Sequence, residues 1–266
     1  MSEALPAGSA PELLQSQDGY VATLTLNRPQ AGNALSHNLV HELDRALTAL
    51  AEDDGVRVIV IAASGRLFCT GHDLKESLAT KSAEEKRQSN LRCNEMMKRL
   101  VDLPKPVIAK VQGTATAAGL ELVSSCDLAI AADHAKFATP GVNIGLWCHG
   151  PQVAVSRVIS RKHAMEMLLT GQLMDADTAV RFGLVNRAVP AEQLDAAVQE
   201  LADLIASKSP YTVALGKRGF NRQLAMTRSD AYDFVAEQIY RNFQAEDAQE
   251  GISAFVEKRK PVWKGR

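Results

Sequence analysis

The sequence predicts an α/β protein, because segments with strand patterns are followed by segments with a helical apolar face. Residues 20–26 alternate between apolar and polar side chains, and residues 56–62 form a continuous run rich in β-branched residues, typical of a buried strand. Between these segments Ser36 is placed to cap a helix, whose apolar face is formed by Leu39, Leu43, Leu47 and Leu50.

Short strands and helices continue along the first 150 residues. Strands are predicted at residues 107–111 and 128–131, and a second helix follows Ser82, which has capping-box spacing with Glu85. The succession is strand, strand, helix, repeated. After Pro151 the sequence predicts one strand, at residues 184–189, and helices at residues 151–159, 161–169, 175–182, 190–207, 210–225 and 229–258.

Three regions are predicted along the chain. Residues 1–11 are small and polar with Pro and Gly, so we expect them to be disordered. Residues 12–200 form the predicted core of strands and helices, and residues 201–266 form a C-terminal helical region.

Composition limits the function. The 266 residues are 46% hydrophobic and can bury a large core, while 30 Lys and Arg balance 31 Asp and Glu. We therefore expect neither nucleic acid nor a membrane as a partner. The four cysteines lack the spacing of a zinc site and are interpreted as buried, reduced thiols, so no metal is expected. The N-terminus lacks the pattern of a secretory signal, which predicts a cytoplasmic protein.

Two turns of small residues are the most informative feature. Residues 68–76 (FCTGHDLKE) and 114–121 (TATAAGLE) each form a tight turn that opens a helix. Small residues let a ligand approach the main chain, and the first amides of a helix have no partner within it. Two such turns aimed at one point would form an oxyanion hole made of backbone N–H groups.

These segments resemble those of the crotonase superfamily, the enoyl-CoA hydratase and isomerase enzymes. Residues 26–35 (LNRPQAGNAL) resemble the early coenzyme A loop, and residues 68–76 resemble the first oxyanion segment. Residues 126–129, 137–140 and 254–260 match later family segments in the same order. The resemblance covers about residues 12–263 and implies a ClpP-like spiral of ββα units. It also implies that the C-terminal helices form trimers, either alone or as a dimer of trimers.

The resemblance assigns three catalytic positions. The backbone N–H groups of His72 and Ala118 fall at the two oxyanion positions, and Glu121 matches the glutamate that deprotonates the attacking water. Apolar neighbours on both sides of Glu121 indicate that it is buried. The His72 side chain is interpreted as a loop histidine that faces solvent or the CoA.

Gly141 departs from the family pattern. Hydratases carry a second glutamate at this position, which protonates the α-carbon of the substrate. Loss of a positioned acid costs about two to four orders of magnitude in rate, which predicts a poor hydratase. Cys148 and His149 precede a helix and can project into the cavity, but adjacent side chains diverge, so they are not expected to work as nucleophile and base.

Coenzyme A is expected only as part of the substrate, with no other cofactor. Arg28 and Lys75 lie in segments that resemble the CoA-binding loops and are predicted to pair with phosphates. Room for the adenine is predicted at Ala31, Ala34, Thr70 and Leu74. Phe255 and Lys258 match positions that reach the ligand of a neighbouring subunit in the family.

The predicted function is hydration of 2-enoyl-CoA in fatty acid metabolism, through a thioester enolate held in the oxyanion hole. Double-bond isomerisation and thioester hydrolysis are two alternatives of the same class, because a single carboxylate can serve either reaction. A third alternative is a catalytically weak acyl-CoA-binding protein.

Overall fold

The computed structural model describes residues 10–80 and 82–266. The predicted disorder of residues 1–9 therefore lies outside the described residues. Pro11 belongs to the segment that the sequence predicts to be disordered, but its carbonyl accepts a hydrogen bond from the Asn27 side chain at 2.9 Å.

The strands of the described residues are Leu13–Asp18 (β1), Val21–Leu26 (β2), Val58–Ala63 (β3), Val107–Val111 (β4), Ala115–Thr116 (β5), Leu128–Ala132 (β6), Lys136–Ala138 (β7), Met174–Asp175 (β8) and Arg187–Val189 (β9). One sheet has the order β1-β2-β3-β4-β6-β9, and a smaller one has the order β5-β7-β8. In the larger sheet β1 is antiparallel to β2, and every later pairing is parallel.

The helices of the described residues are His37–Glu52 (α1), Leu74–Ala79 (α2), Ala83–Asp102 (α3), Ala118–Ser125 (α4), His149–Val158 (α5), Arg161–Thr170 (α6), Ala176–Phe182 (α7), Leu194–Ala206 (α8), Pro210–Gln223 (α9), Arg228–Gln244 (α10) and Glu246–Val256 (α11). Among them, none combines the length and apolar character that a membrane-spanning segment requires.

The larger sheet is covered on both faces, which explains the continuous apolar run in β3. Ile59 and Ile61 face a cluster that includes the leucines of α1, whereas Val58 and Val60 face α8. All four side chains are at most 3% exposed. A parallel strand packed on both faces has no polar side, so its sequence does not alternate.

The chain winds as a spiral in which successive units add a neighbouring strand to the larger sheet. The parallel strands β2, β3, β4 and β6 follow one another in sequence order. A second line of pairings runs beside them, from Leu35 with His72, through Cys69 with Ala115, to β5 with β7. This second line brings both predicted oxyanion segments together.

Local signals account for several helix starts. The Ser36 hydroxyl accepts a hydrogen bond from the amide of Leu39 at 2.9 Å, and the Ser82 hydroxyl accepts one from the amide of Glu85 at 3.3 Å. Both predicted caps are confirmed.

Three sequence predictions need correction. Strand β1 was not predicted, because this edge strand is largely exposed and polar. The helix predicted at residues 229–258 is two helices, since Ala245 is extended, with φ −66° and ψ 141°, and is buried where α10 meets α11. The strand predicted at residues 184–189 is limited to β9, because Leu184 and Val185 are buried side chains in a turn.

The predicted boundary at residue 200 falls inside α8. Four residues of this helix, Leu194, Val198, Ala202 and Ala206, are buried against the larger sheet. The layer that covers the sheet therefore continues to Ala206, and the helices that follow it begin at Pro210.

Candidate active site

The first oxyanion segment is a turn fixed at Gly71 and Asp73. Gly71 has φ +97°, a conformation that glycine adopts without steric cost. Asp73 then caps α2 by accepting hydrogen bonds from the amides of Lys75 and Glu76. The amide of Leu35 donates to the Gly71 carbonyl at 2.8 Å, which ties the turn to the loop before α1.

The second segment reverses direction at Ala117. This residue has φ +49°, which is rare for a residue with a Cβ, and its amide donates to the Ala138 carbonyl at 3.0 Å. Gly119 then packs against the first segment, because a Cβ there would lie only 2.2 Å from the Cys69 carbonyl oxygen. The strained turn and the close contact fix the start of α4.

The two predicted donor amides are neighbours in space. A Cβ added to Gly71, the residue before His72, would lie 3.1 Å from the amide nitrogen of Ala118. Within residues 10–80 and 82–266, neither the His72 nor the Ala118 amide donates a hydrogen bond. Buried amides are almost always paired, so two adjacent unpaired amides are suited to bind a ligand oxygen.

Glu121 lies one turn into α4 and is 6% exposed, as the sequence indicates. Its carboxylate makes no hydrogen bond with the residues that the structure describes. Burial raises the pKa of Glu121 to about 7. A carboxyl group with this pKa can exchange protons near neutral pH.

Gly150 in α5 makes room for the Glu121 carboxylate. A Cβ at Gly150 would lie 2.5 Å from Oε2 and 2.9 Å from Oε1 of Glu121. Nothing in the sequence marks this glycine, because the contact forms only when α4 and α5 pack.

A cavity of about 920 Å³ opens beside Glu121. Its wall is formed by α3, α4, α5 and α9, and it includes His149, Gly150, Ser124 and Phe220. At the end of α4 the Asp127 carboxylate pairs with the buried ammonium of Lys217 at 2.7 Å. Asp127 also accepts a hydrogen bond from the Val107 amide at 2.7 Å, which joins the end of α4 to the start of β4.

The His72 side chain departs from its predicted exposure. The residue is half-buried, and its Nε2 is buried without a hydrogen-bond partner among the described residues. Burial, followed by the proximity of His37, lowers the pKa of His72. The imidazole is therefore directed into the protein rather than toward solvent.

The cysteines are free and separate. Cys69, Cys93 and Cys148 are buried and Cys126 is half-buried. The described residues contain no group of three or more His, Cys, Asp or Glu side chains placed to hold a metal ion.

Arg28, which the sequence predicts to pair with a phosphate, is engaged by groups of the protein itself. Its guanidinium pairs with Glu12 at 2.9 Å and with Asp73 at 3.0 Å, and it donates to the Ala34 carbonyl at 2.6 Å. Its side chain is 13% exposed. These bonds join β1, the loop before α1 and the cap of α2.

The other predicted CoA positions fall in two places. The loops around His72 contain Ala31, Ala34, Thr70, Leu74 and Lys75. There the Thr70 amide donates a hydrogen bond to the Gly32 carbonyl at 3.1 Å, and the Lys75 side chain is exposed. Phe255 and Lys258 lie at the end of α11 and are exposed, with Phe255 at 85%. No hydrogen bond or ion pair in the described part of the chain joins these two residues to the loops.

Comparison with known proteins gives consistent matches. The sequence profile of the enoyl-CoA hydratase/isomerase family matches residues 16–266. A Xenopus laevis relative, named enoyl-CoA hydratase domain-containing protein 3, mitochondrial, is 43% identical over 251 residues, which cover 94% of this chain and 85% of the relative. The Rattus norvegicus protein of the same name is 43% identical over 264 residues, covering 98% and 88%.

A solved enoyl-CoA hydratase from Mycobacterium smegmatis has the same fold. It is 47% identical, with a TM-score of 0.93 over 96% of this chain and 99% of that chain.

The expectation of a cytoplasmic protein is wrong by this comparison, because the frog and rat relatives are named as mitochondrial. That expectation depended on the absence of a signal pattern near the N-terminus, and such an absence does not determine location.

The matches cover nearly the whole described chain and agree in sequence and in fold. They confirm the predicted crotonase spiral and the predicted class of enzyme. The chain belongs to the enoyl-CoA hydratase/isomerase family.

Proposed function

We propose that the protein binds an acyl-CoA thioester and hydrates 2-enoyl-CoA, with the thioester oxygen between the amides of His72 and Ala118. The observation that carries this proposal is the pair of adjacent amides, at the start of α4 and before α2, that donate to no group in the described part of the chain. Negative charge that develops on the thioester oxygen would be stabilised there by donors that need no rearrangement.

Glu121 is the proposed base. A water molecule between its carboxylate and the β-carbon would lose a proton to Glu121 as its oxygen bonds to that carbon. The pKa of about 7 supports this role, because a base is most effective when its pKa is near the working pH. The name of the similar Mycobacterium smegmatis hydratase supports the choice of hydration.

Gly141 supports a second candidate of the same class. Double-bond isomerisation and thioester hydrolysis can proceed with one carboxylate, and position 141 supplies none. A catalytically weak acyl-CoA binder remains the alternative of a different class, which binding without turnover would identify.

Coenzyme A is proposed to lie along the loops around His72. Lys75 is exposed and makes no ion pair among the described residues, so its ammonium is available to a phosphate. Thr70 and the exposed Leu74 flank it, and Ala31 and Ala34 leave space nearby. Arg28 is proposed to hold these loops in place.

The proposed assembly is a trimer or a dimer of trimers. Six large apolar side chains within residues 210–244, the span of α9 and α10, are more than half exposed, namely Phe220, Leu224, Tyr232, Ile239, Tyr240 and Phe243. An apolar surface of this kind is typical of a subunit interface. Phe255 and Lys258 would then reach the ligand of a neighbouring subunit.

The test is turnover of crotonyl-CoA, followed at the absorbance of the enoyl thioester, by the wild type and by Glu121→Gln. Gln keeps the shape of the side chain but cannot accept a proton, so hydration should fall to the background rate. Hydration that persists in Glu121→Gln would place the chemistry on another residue. Tight binding of butyryl-CoA without hydration would favour the acyl-CoA binder.

A further inference from the structure

The position that lacks the second carboxylate is closed to any side chain. A Cβ at Gly141 would lie 2.7 Å from the Leu146 carbonyl oxygen and 3.0 Å from Sγ of Cys148. The carbonyl belongs to a turn in which the Leu146 amide donates to the Gly141 carbonyl at 2.9 Å. A glutamate therefore cannot enter at position 141 without moving this turn. A proton for the α-carbon then has to come from water or from a residue of another element.

Most charged groups of the cavity wall lie away from Glu121 or are already engaged. Asp127 and Lys217 are paired beyond the C-terminal end of α4, whereas Glu121 lies in the first turn of this helix. Asp102 lies at the same end, two residues after Leu100, whose carbonyl accepts a hydrogen bond from Lys217. The remaining charged groups are Lys98, which pairs with Glu95, and Arg157, which donates to the Val153 carbonyl.

His149 lies at the Glu121 end of the cavity. It is the first residue of α5, and the next residue, Gly150, contacts the Glu121 carboxylate. Neighbouring Cα atoms are about 3.8 Å apart, so the His149 side chain is attached to the backbone one residue from the contact with Glu121. The side chain is exposed, lines the cavity and makes no hydrogen bond with a residue that the structure describes.

Cys148 is a weaker candidate. Its thiol is buried against Gly141 and does not line the cavity. Burial raises the pKa of Cys148, which makes the thiol a poorer acid. Imidazole is the side chain that most often acts as a general acid or base in enzymes.

We propose that His149 is the catalytic acid that gives a proton to the α-carbon of the bound enoyl thioester. This inference depends on the proposed hydration. Water gives one proton to Glu121 while its oxygen bonds to the β-carbon, and the electrons of the double bond move to form the enolate. The enolate then forms its C–H bond with the proton of imidazolium Nε2 or Nδ1, and His149 becomes neutral.

The cycle closes when the proton on Glu121 returns to His149 through water. The net change is the addition of one water molecule to the double bond, and both side chains recover their starting state. If His149 supplies this proton, the protein should hydrate 2-enoyl-CoA faster than the absence of a glutamate at position 141 alone predicts.

The experiment compares the full-length wild type with His149→Gln, and with Cys148→Ala and His134→Gln as controls. Cys148 tests the neighbouring thiol, and His134 is an exposed histidine in the turn after β6. Hydration of crotonyl-CoA gives kcat, and titration with butyryl-CoA gives the dissociation constant, which also reports that the site is folded.

His149→Gln should lower kcat by about 10²- to 10⁴-fold, the usual contribution of a general acid, with the butyryl-CoA dissociation constant unchanged. Both controls should keep the wild-type kcat. A wild-type kcat in His149→Gln would overturn the inference and leave the proposed hydration standing. A loss in Cys148→Ala with His149→Gln unaffected would assign the proton to the thiol, which also overturns it. A wild type that binds butyryl-CoA but does not hydrate crotonyl-CoA would overturn both proposals.

Discussion

Replacing Gly150 by alanine should separate the position of the Glu121 carboxylate from the stability of the fold. The added Cβ would lie 2.5 Å from Oε2 of Glu121, whereas ordinary contacts begin at 3.4 Å. The carboxylate must therefore retreat by about 0.9 Å, the difference between these two distances. The clashing atoms are the far end of a flexible side chain, so the helix can remain folded while the carboxylate moves.

A misplacement of this size costs about 10²-fold in rate when it affects a catalytic group. We expect Gly150→Ala to lower kcat for crotonyl-CoA by about this factor, with the melting temperature close to that of the wild type. Gly219→Ala is the matched control, because a Cβ there meets only Cγ of Gln238 at 3.9 Å. A Gly150→Ala enzyme with wild-type kcat would show that the placement of Glu121 does not limit the reaction.

Three further predictions follow from the same geometry. Burial raises the pKa of Glu121 from 4.5 to about 7, so kcat/KM should fall as pH drops below about 7 and the carboxylate becomes protonated. The same shift means that protonated Glu121 contributes fully to the free energy of unfolding below pH 4.5 and that this contribution is lost as pH rises through about 7. Chemical denaturation at several pH values should show this loss in the wild type and not in Glu121→Gln. Lys217→Met should reduce the free energy of unfolding by about 3 to 5 kcal/mol, because it leaves Asp127 without its partner; the double variant with Asp127→Asn should recover part of the loss, and equal losses in both would argue against the ion pair. Light scattering at micromolar concentration should give a trimer or hexamer, and replacing Phe255 and Lys258 by alanine should weaken CoA binding; a monomer would refute the assembly.

The helical position and the burial of Glu121, the proposed base, were predictable from local sequence. Glu121 follows a turn of small residues and lies among apolar neighbours, so both its place on a helix and its burial could be inferred. Caps such as Ser36 were predictable for the same reason, since the partners are three residues apart. Interactions between residues this close in sequence can be recognised without knowledge of the fold.

Contacts between distant segments were not predictable. Arg28 resembles a phosphate-binding residue in sequence, but Glu12 and Asp73 occupy its guanidinium only after the chain has folded. Gly150 meets the Glu121 carboxylate only through the packing of α5 on α4, which leaves no periodic pattern in the sequence. The break at Ala245 was missed because alanine is a strong helix former, and nothing local in the sequence marks its extended conformation.

The central claim is that the amides of His72 and Ala118 hold the thioester oxygen while Glu121 faces the reacting carbons. A crystal structure with bound butyryl-CoA or 3-hydroxybutyryl-CoA tests it most directly. The account predicts that both amide nitrogens lie about 2.7 to 3.1 Å from the thioester oxygen, with the Glu121 carboxylate beside the β-carbon. A thioester bound elsewhere, or one that contacts neither amide, would contradict the account.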